Sequence, residues 1–167
     1  AGWREAEYLA YGYDFPKPSV RFRQLEEAIK VCRLMWTEEN PCFAGEFFHI
    51  EGADAPPLPD VVPPICIGTS GEQIGIPLAA RHADIWNTVW RGDLDSLIRK
   101  RDIMLHELEG SGRAREDVQF SLTIERALPQ SPDEIDDFGT LLTDLIGIGI
   151  EHFVLDFGNP ESADETV

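Results

Sequence analysis

The residues most able to do chemistry are four in a row, Gly68-Thr69-Ser70-Gly71, inside the stretch ICIGTSGEQIGIPLAARHADIWN. An apolar strand ends there and a helix begins. Glycines let the backbone adopt positive φ and approach a ligand closely. The first N–H groups of a helix lack intrahelical acceptors, and with two hydroxyls beside them they suit a phosphate monoester. The plain alternative is capping: Thr69 with Glu72, and Ser70 with Gln73, both have capping-box spacing. The end of a parallel strand is where ligands collect, which favours a ligand. Two sharper motifs fail. A nucleophile elbow needs glycine two places after its serine, and position 72 is Glu; a P-loop needs Gly-Lys-Ser/Thr, and no lysine follows.

Other candidates are weaker. His49, His82, His106 and His152 have no metal-ligand spacing and are expected at the surface or its boundary. Carboxylates such as Glu26-Glu27 and Asp136-Asp137 fall on helix exteriors, so no catalytic pair is chosen among them. Asp84, between Ala83 and Ile85, is read as a local cap. Cys32, Cys42 and Cys66 are expected to be free thiols in a reducing compartment, with Cys66 inside an apolar strand.

The elements that must hold the turn follow from periodicity. Phe22, Leu25, Ile29, Cys32 and Trp36 share one helical face between Val20 and Trp36, with Ser19 as the expected N-cap. CFAGEFFHIEG reads as a small hairpin turning at Gly45. ADAPPLPDVVPP is a rigid extended approach to the strand PICIG, whose unbroken apolar character predicts burial on both faces. A helix runs on to Arg81, ADIWN is a short strand, and a helix spans about Asp93 to Glu109 before Gly110-Ser111-Gly112 stops it. VQFSLTIE alternates as a strand. Ser131-Pro132-Asp133-Glu134 opens a helix to about Ile146, and HFVLDFG is the last strand. Strand and helix alternate, so the class is α/β with a parallel sheet. Periodicity leaves an open doubly wound sheet and a closed (β/α)8 barrel both standing.

Totals limit the partners. The 167 residues carry 31 acidic and 14 basic side chains, a net charge of −17, with 43% hydrophobic residues for a core. Such a balance repels nucleic acids and anionic membranes. With no long apolar run and no signal-peptide pattern, a cytoplasmic protein is expected.

AGWREAEYLAYGYDFP, RFRQLEEAIKVCRLMWTEENPCFAGEFF and PPICIGTSGE…LAARHADIWN together resemble the luciferase-like monooxygenase family, in its branch that uses the deazaflavin F420, with FMN as the alternative cofactor. The resemblance runs through nearly the whole chain. It implies one partial TIM-barrel domain over residues 1–167, in which Ile65–Gly68, Ala83–Asn87, Val118–Glu125 and His152–Phe157 are barrel strands five to eight and the earlier strands are missing. It implies cofactor phosphate binding by Gly68, Thr69, Ser70 and Gly71, agreeing with the independent reading of that turn. Trp3, Glu7 and Tyr8 match the segment beside the cofactor ring, with Trp3 lining the pocket and Glu7 orienting or ion-pairing. Relatives that place a catalytic glutamate have it where Trp3 stands, so no catalytic residue is assigned. An asparagine found near Ala6 in those relatives is missing too. Relatives also carry Thr or another polar residue near Gly75 and ordinary helix formers where Pro77 stands, so the phosphate helix is expected to kink or start late. Incomplete sheet edges imply a homo-oligomer.

Overall fold

The computed structural model describes residues 2–158 and divides into two compact units, Ala1–Ile65 and Cys66–Val167. In the first unit, α1 (Glu5–Ala10) precedes α2 (Pro18–Thr37), and β1 (Phe43–Ala44) pairs antiparallel with β2 (His49–Ile50). The N-cap of α2 is Lys17, two residues earlier than the Ser19 expected. Pro18 takes the first helical position, where its missing N–H costs nothing because that amide would have no acceptor anyway. Ile29 is buried as the periodicity predicts, whereas Cys32 is exposed.

The turn of the hairpin is closed by Gly45 N–H donating to Phe48 O at 2.8 Å. Glu27 of α2 accepts the amides of Glu46, Phe47 and Phe48 at 2.8, 2.9 and 3.0 Å. A side chain at Gly45 would overlap that carboxylate and the Phe43 ring, so it would have to displace both.

The second unit is a four-stranded parallel sheet in chain order: β3 (Cys66–Gly68), β4 (Ile85–Val89), β5 (Gln119–Glu125) and β6 (His152–Asp156). Between them run α3 (Gly75–His82), α4 (Leu94–Gly110), a 3-10 turn at Arg115–Asp117, and α5 (Pro132–Gly147). The register sorts the side chains. Ile67, Trp86 and Phe120 form one cross-sheet row, Thr88 and Leu122 the next, and Ile124 follows, all at most 4% exposed. With Ile76, Leu78, Leu97, Met104, Leu108 and Leu145 from the helices they make the core. Trp86 meets Phe120 edge-to-face at 5.2 Å, a favoured aromatic arrangement.

Asp93 and Ser131 cap α4 and α5, accepting from the amides of Ser96 and Glu134. The Glu134 carboxylate reaches Gln130 N–H at 2.6 Å, one residue before the position a capping box would use. β4 begins at Ile85, two residues later than expected, because Ala83 N–H still closes α3 on Ala79 O.

One expectation about β3 fails. Only Ile67 is buried; Cys66 and Gly68 are exposed, since β3 is a sheet edge whose second face is uncovered. The sheet does not close among the described residues: β3 and β6 each pair on one side. No described helix is long and apolar enough to cross a membrane.

Candidate cofactor site

The turn after β3 is fastened to β4 at three points. Thr69 N–H donates to Asn87 O at 2.9 Å, Trp86 Nε1–H donates to Thr69 O at 3.0 Å, and the Ser70 and Thr88 hydroxyls lie 2.7 Å apart. Thr69 Oγ1 accepts from Gly71 N–H at 3.3 Å. A residue as large as Trp86 is thus both core and clamp: its ring is fully buried while its one polar atom holds the turn.

The capping boxes expected at Thr69 and Ser70 do not form. The helix starts at Gly75, with Ile74 at the N-cap position and no side-chain cap. The late start has a steric reason. Pro77 has no N–H and clashes with a preceding helical turn, so it is tolerated only in the first turn, where it now sits. From Gly71 the chain makes a wide turn closed by Ile76 N–H on Gly71 O at 2.8 Å. Among the described residues no backbone carbonyl accepts from the amides of Glu72, Gln73, Ile74 or Gly75. Gly68, Ser70 and Gly71 are exposed, and nothing lies within 4 Å of where a Gly68 Cβ would stand. The turn is therefore held rigidly from beneath and open above, with amides and the Ser70 hydroxyl at hand. That donor set fits a phosphate.

A carboxylate stands at this turn, and it is neutralised. Glu72 Oε1 accepts from Arg99 Nε at 3.0 Å and Nη2 at 2.8 Å. The Arg99 hydrogen bond holds the Glu72 carboxyl below its ordinary range and the Arg99 guanidinium above its own. Without Arg99 a second negative charge would face any phosphate bound there.

Trp3, Glu7 and Tyr8 belong to the first unit, whereas Gly68–Gly71 belong to the second. Trp3 is 82% exposed with the Arg4 guanidinium 5.4 Å from its ring. Glu7 pairs with Arg4 at 2.9 Å, and Tyr8 packs edge-to-face on Phe15 at 5.1 Å. Glu7, Tyr8, Tyr11 and Tyr13 line a hollow of about 410 Å³.

Sequence reasoning missed a polar row on the second sheet face. Thr123 Oγ1 donates to Asn87 Oδ1 at 3.1 Å, Asn87 Nδ2 donates to Ser121 Oγ at 2.9 Å, and Ser121 Oγ lies 2.8 Å from His152 Nδ1. The sign was present: in FSLTI the polar residues occupy the alternate places, opposite Phe120, Leu122 and Ile124. Among the described residues no group of three or more His, Cys, Asp or Glu could hold a metal ion.

A four-stranded parallel sheet with helices between its strands defines the class α/β, in which ligand sites collect at the carboxyl ends of the strands. The chain belongs to the luciferase-like monooxygenase family, whose model matches residues 1–137. It is 27% identical over 124 residues to an F420-dependent glucose-6-phosphate dehydrogenase of Kineococcus radiotolerans, covering 74% of this chain and 36% of that protein. It is 31% identical over 88 residues to an FMNH(2)-dependent dimethylsulfone monooxygenase of Pseudomonas fluorescens, covering 53% and 24%. Among solved structures, an F420-dependent secondary alcohol dehydrogenase in complex with an F420-acetone adduct matches with a TM-score of 0.69 at 18% identity, over 86% of this chain and 58% of that one. An EDTA monooxygenase from Chelativorans matches with a TM-score of 0.64 at 16% identity, over 86% and 39%. The matches cover between 21% and 36% of the length of the curated relatives. The fold is accordingly part of a (β/α)8 barrel, four parallel strands with their helices and no closure.

Proposed function

We propose that the whole protein is an F420-dependent oxidoreductase of hydride-transfer type acting on a small-molecule substrate, with FMN as the alternative cofactor. The observation that carries this reading is the turn Gly68-Thr69-Ser70-Gly71, pinned to β4 through Trp86, Asn87 and Thr88 and open to solvent above. When bound, the deazaflavin or flavin ring supplies the two-electron chemistry. The chain's own residues bind and orient. The amides and the Ser70 hydroxyl take the phosphate, and Arg99 cancels the charge of Glu72. On the family resemblance alone, Trp3, Glu7 and Tyr8 are cofactor contacts of the whole protein.

The test is a fluorescence titration of the purified chain with F420 and with FMN. The variant to compare is Ser70→Ala combined with Thr88→Val, because both partners of the 2.7 Å hydroxyl pair are removed together and no buried hydroxyl is stranded. Weaker binding in a variant of unchanged stability supports the phosphate site; equal affinity removes it.

A second reading is a non-catalytic cofactor-binding protein that oligomerises over its open sheet edge. Val154, Leu155 and Phe157 on or beside β6 are 43%, 39% and 39% exposed, which favours a covering copy. Sedimentation of the purified chain as a well-dispersed monomer would sink this one.

A further inference from the structure

A second concavity occupies the same edge of the sheet as the cofactor turn and shares none of its residues. It is an open hollow of about 520 Å³ between the segment after β4, the end of β5 with the segment after it, and Glu134 and Leu141 of α5. That volume lies in the range of small-molecule sites. Trp90, Ile124, Leu128 and Leu141 supply its apolar lining. Trp90 is fixed by its N–H on Thr123 O at 2.8 Å, and Gly92 turns the chain away with φ +77°.

The charges at its rim decide what it can hold. Arg91 lies 3.8 Å from Glu125, a loose pair with both side chains mostly exposed. Glu134 is occupied by Gln130 N–H. Arg126 is different. Its guanidinium lies 4.4 Å from the Phe138 ring centroid and its Nε reaches only the neighbouring Ala127 O at 3.3 Å. Among the described residues no carboxylate pairs with Arg126. The guanidinium thus sits over a ring with no carboxylate on it among the described residues, and a guanidinium fork matches a carboxylate with two parallel hydrogen bonds. A dianion would feel Glu125 and Glu134 more strongly than a monoanion would. An apolar lining beside one such guanidinium selects a molecule with a matching body and head.

We infer that this groove is a ligand site for a monocarboxylate with an apolar body, the carboxylate on Arg126 and the body against Trp90, Leu128 and Leu141. Its occupancy does not depend on the cofactor turn.

The experiment is an NMR titration of the full chain with octanoate, following the Trp90 indole N–H and the Leu128 and Leu141 methyls, with octanol and octyl phosphate as comparison probes. Saturable shifts at these three residues, strongest with octanoate, are expected. Arg126→Gln should weaken octanoate by about tenfold or more, the scale of a lost charged hydrogen bond, and leave binding of FMN unchanged. Arg126→Lys, which keeps the charge and loses the fork, should fall between the two and serves if the glutamine variant does not fold. Octanol binding as tightly as octanoate, an Arg126→Gln variant with parental affinity, or no saturable shift would each overturn the site. Binding of neither F420 nor FMN, with octanoate binding intact, would instead remove the cofactor reading alone.

Discussion

Gly75 lies directly against Thr69: a Cβ built on Gly75 would overlap Thr69 Oγ1 and stand 3.1 Å from Thr69 Cβ. The start of α3 therefore packs on the turn after β3 through a glycine that no turn geometry demands, since its φ is ordinary. Gly75→Ala gains helix preference of up to about 1 kcal/mol, but the overlap costs more, about 1–3 kcal/mol in a packed site. A net loss of about 1–2 kcal/mol in urea unfolding is expected. Adding Thr69→Ala should recover most of it, because the clash is between these two side-chain positions. Simple additivity of the two losses would show that the strain lies elsewhere.

Ser70 and Thr88 offer a second coupled pair. Thr88 is 1% exposed, and its hydroxyl has the Ser70 hydroxyl as partner at 2.7 Å. Ser70→Ala alone leaves a buried hydroxyl unpaired, a cost of about 1–3 kcal/mol. Thr88→Val in the same background removes the stranded group and should return stability close to the parent. Chemical denaturation of both singles and the double checks this. A double variant no more stable than Ser70→Ala would deny the pairing.

These pairs also mark what the sequence could and could not disclose. Alternation in VQFSLTIE and the spacing of apolar residues in α4 and α5 depend on neighbours along the chain, so β5 and both helices fall within a residue or so of where periodicity puts them. The parallel sheet is implied by the strand–helix alternation, whereas the choice of a barrel over an open sheet comes only from the family resemblance. What failed depends on contacts distant in sequence. Thr69 and Ser70 have good capping spacing, yet the Thr69 hydroxyl accepts from Gly71 N–H and the Ser70 hydroxyl pairs with Thr88 in the next strand. Cys66 sits in an apolar run but on an uncovered face. The Asn87–Ser121–His152 row joins three strands, and only register brings it together.

Glu27 gives a pH dependence with a definite sign. Burial pushes its carboxyl up, but the three amides of Phe47, Glu46 and Phe48, helped by Lys30, outweigh that and leave it below its ordinary value. A carboxyl whose folded pKa is depressed binds fewer protons folded than unfolded, so its stabilisation is complete above the unfolded value of about 4.3 and is lost as pH falls through the folded value. The parent should therefore exceed Glu27→Gln in urea midpoint at about pH 6, with the gap closing below about pH 4. A gap that stays constant across that range would mean that the carboxylate's charge contributes nothing to holding the hairpin.

Arg115 separates geometry from charge. Its Nη1 donates to Val118 O at 2.7 Å and its Nη2 to Gly149 O at 2.9 Å, tying the segment before β5 to the loop before β6. The guanidinium also covers the Phe120 ring at 3.6 Å and lies 3.3 Å from a half-exposed Glu151. An exposed ion pair is worth at most about 1 kcal/mol, whereas hydrogen bonds from a charged donor to fixed carbonyls contribute about 1.5–3 kcal/mol. Arg115→Lys keeps the charge but has one ammonium where two carbonyls need separate donors, so it should lose most of what Arg115→Ala loses. Glu151→Gln, which removes only the ion pair, should cost well under 1 kcal/mol. Thermal melts of the three variants decide the matter: a lysine variant as stable as the parent would mean that charge, and not the two-pronged reach of the guanidinium, joins these loops.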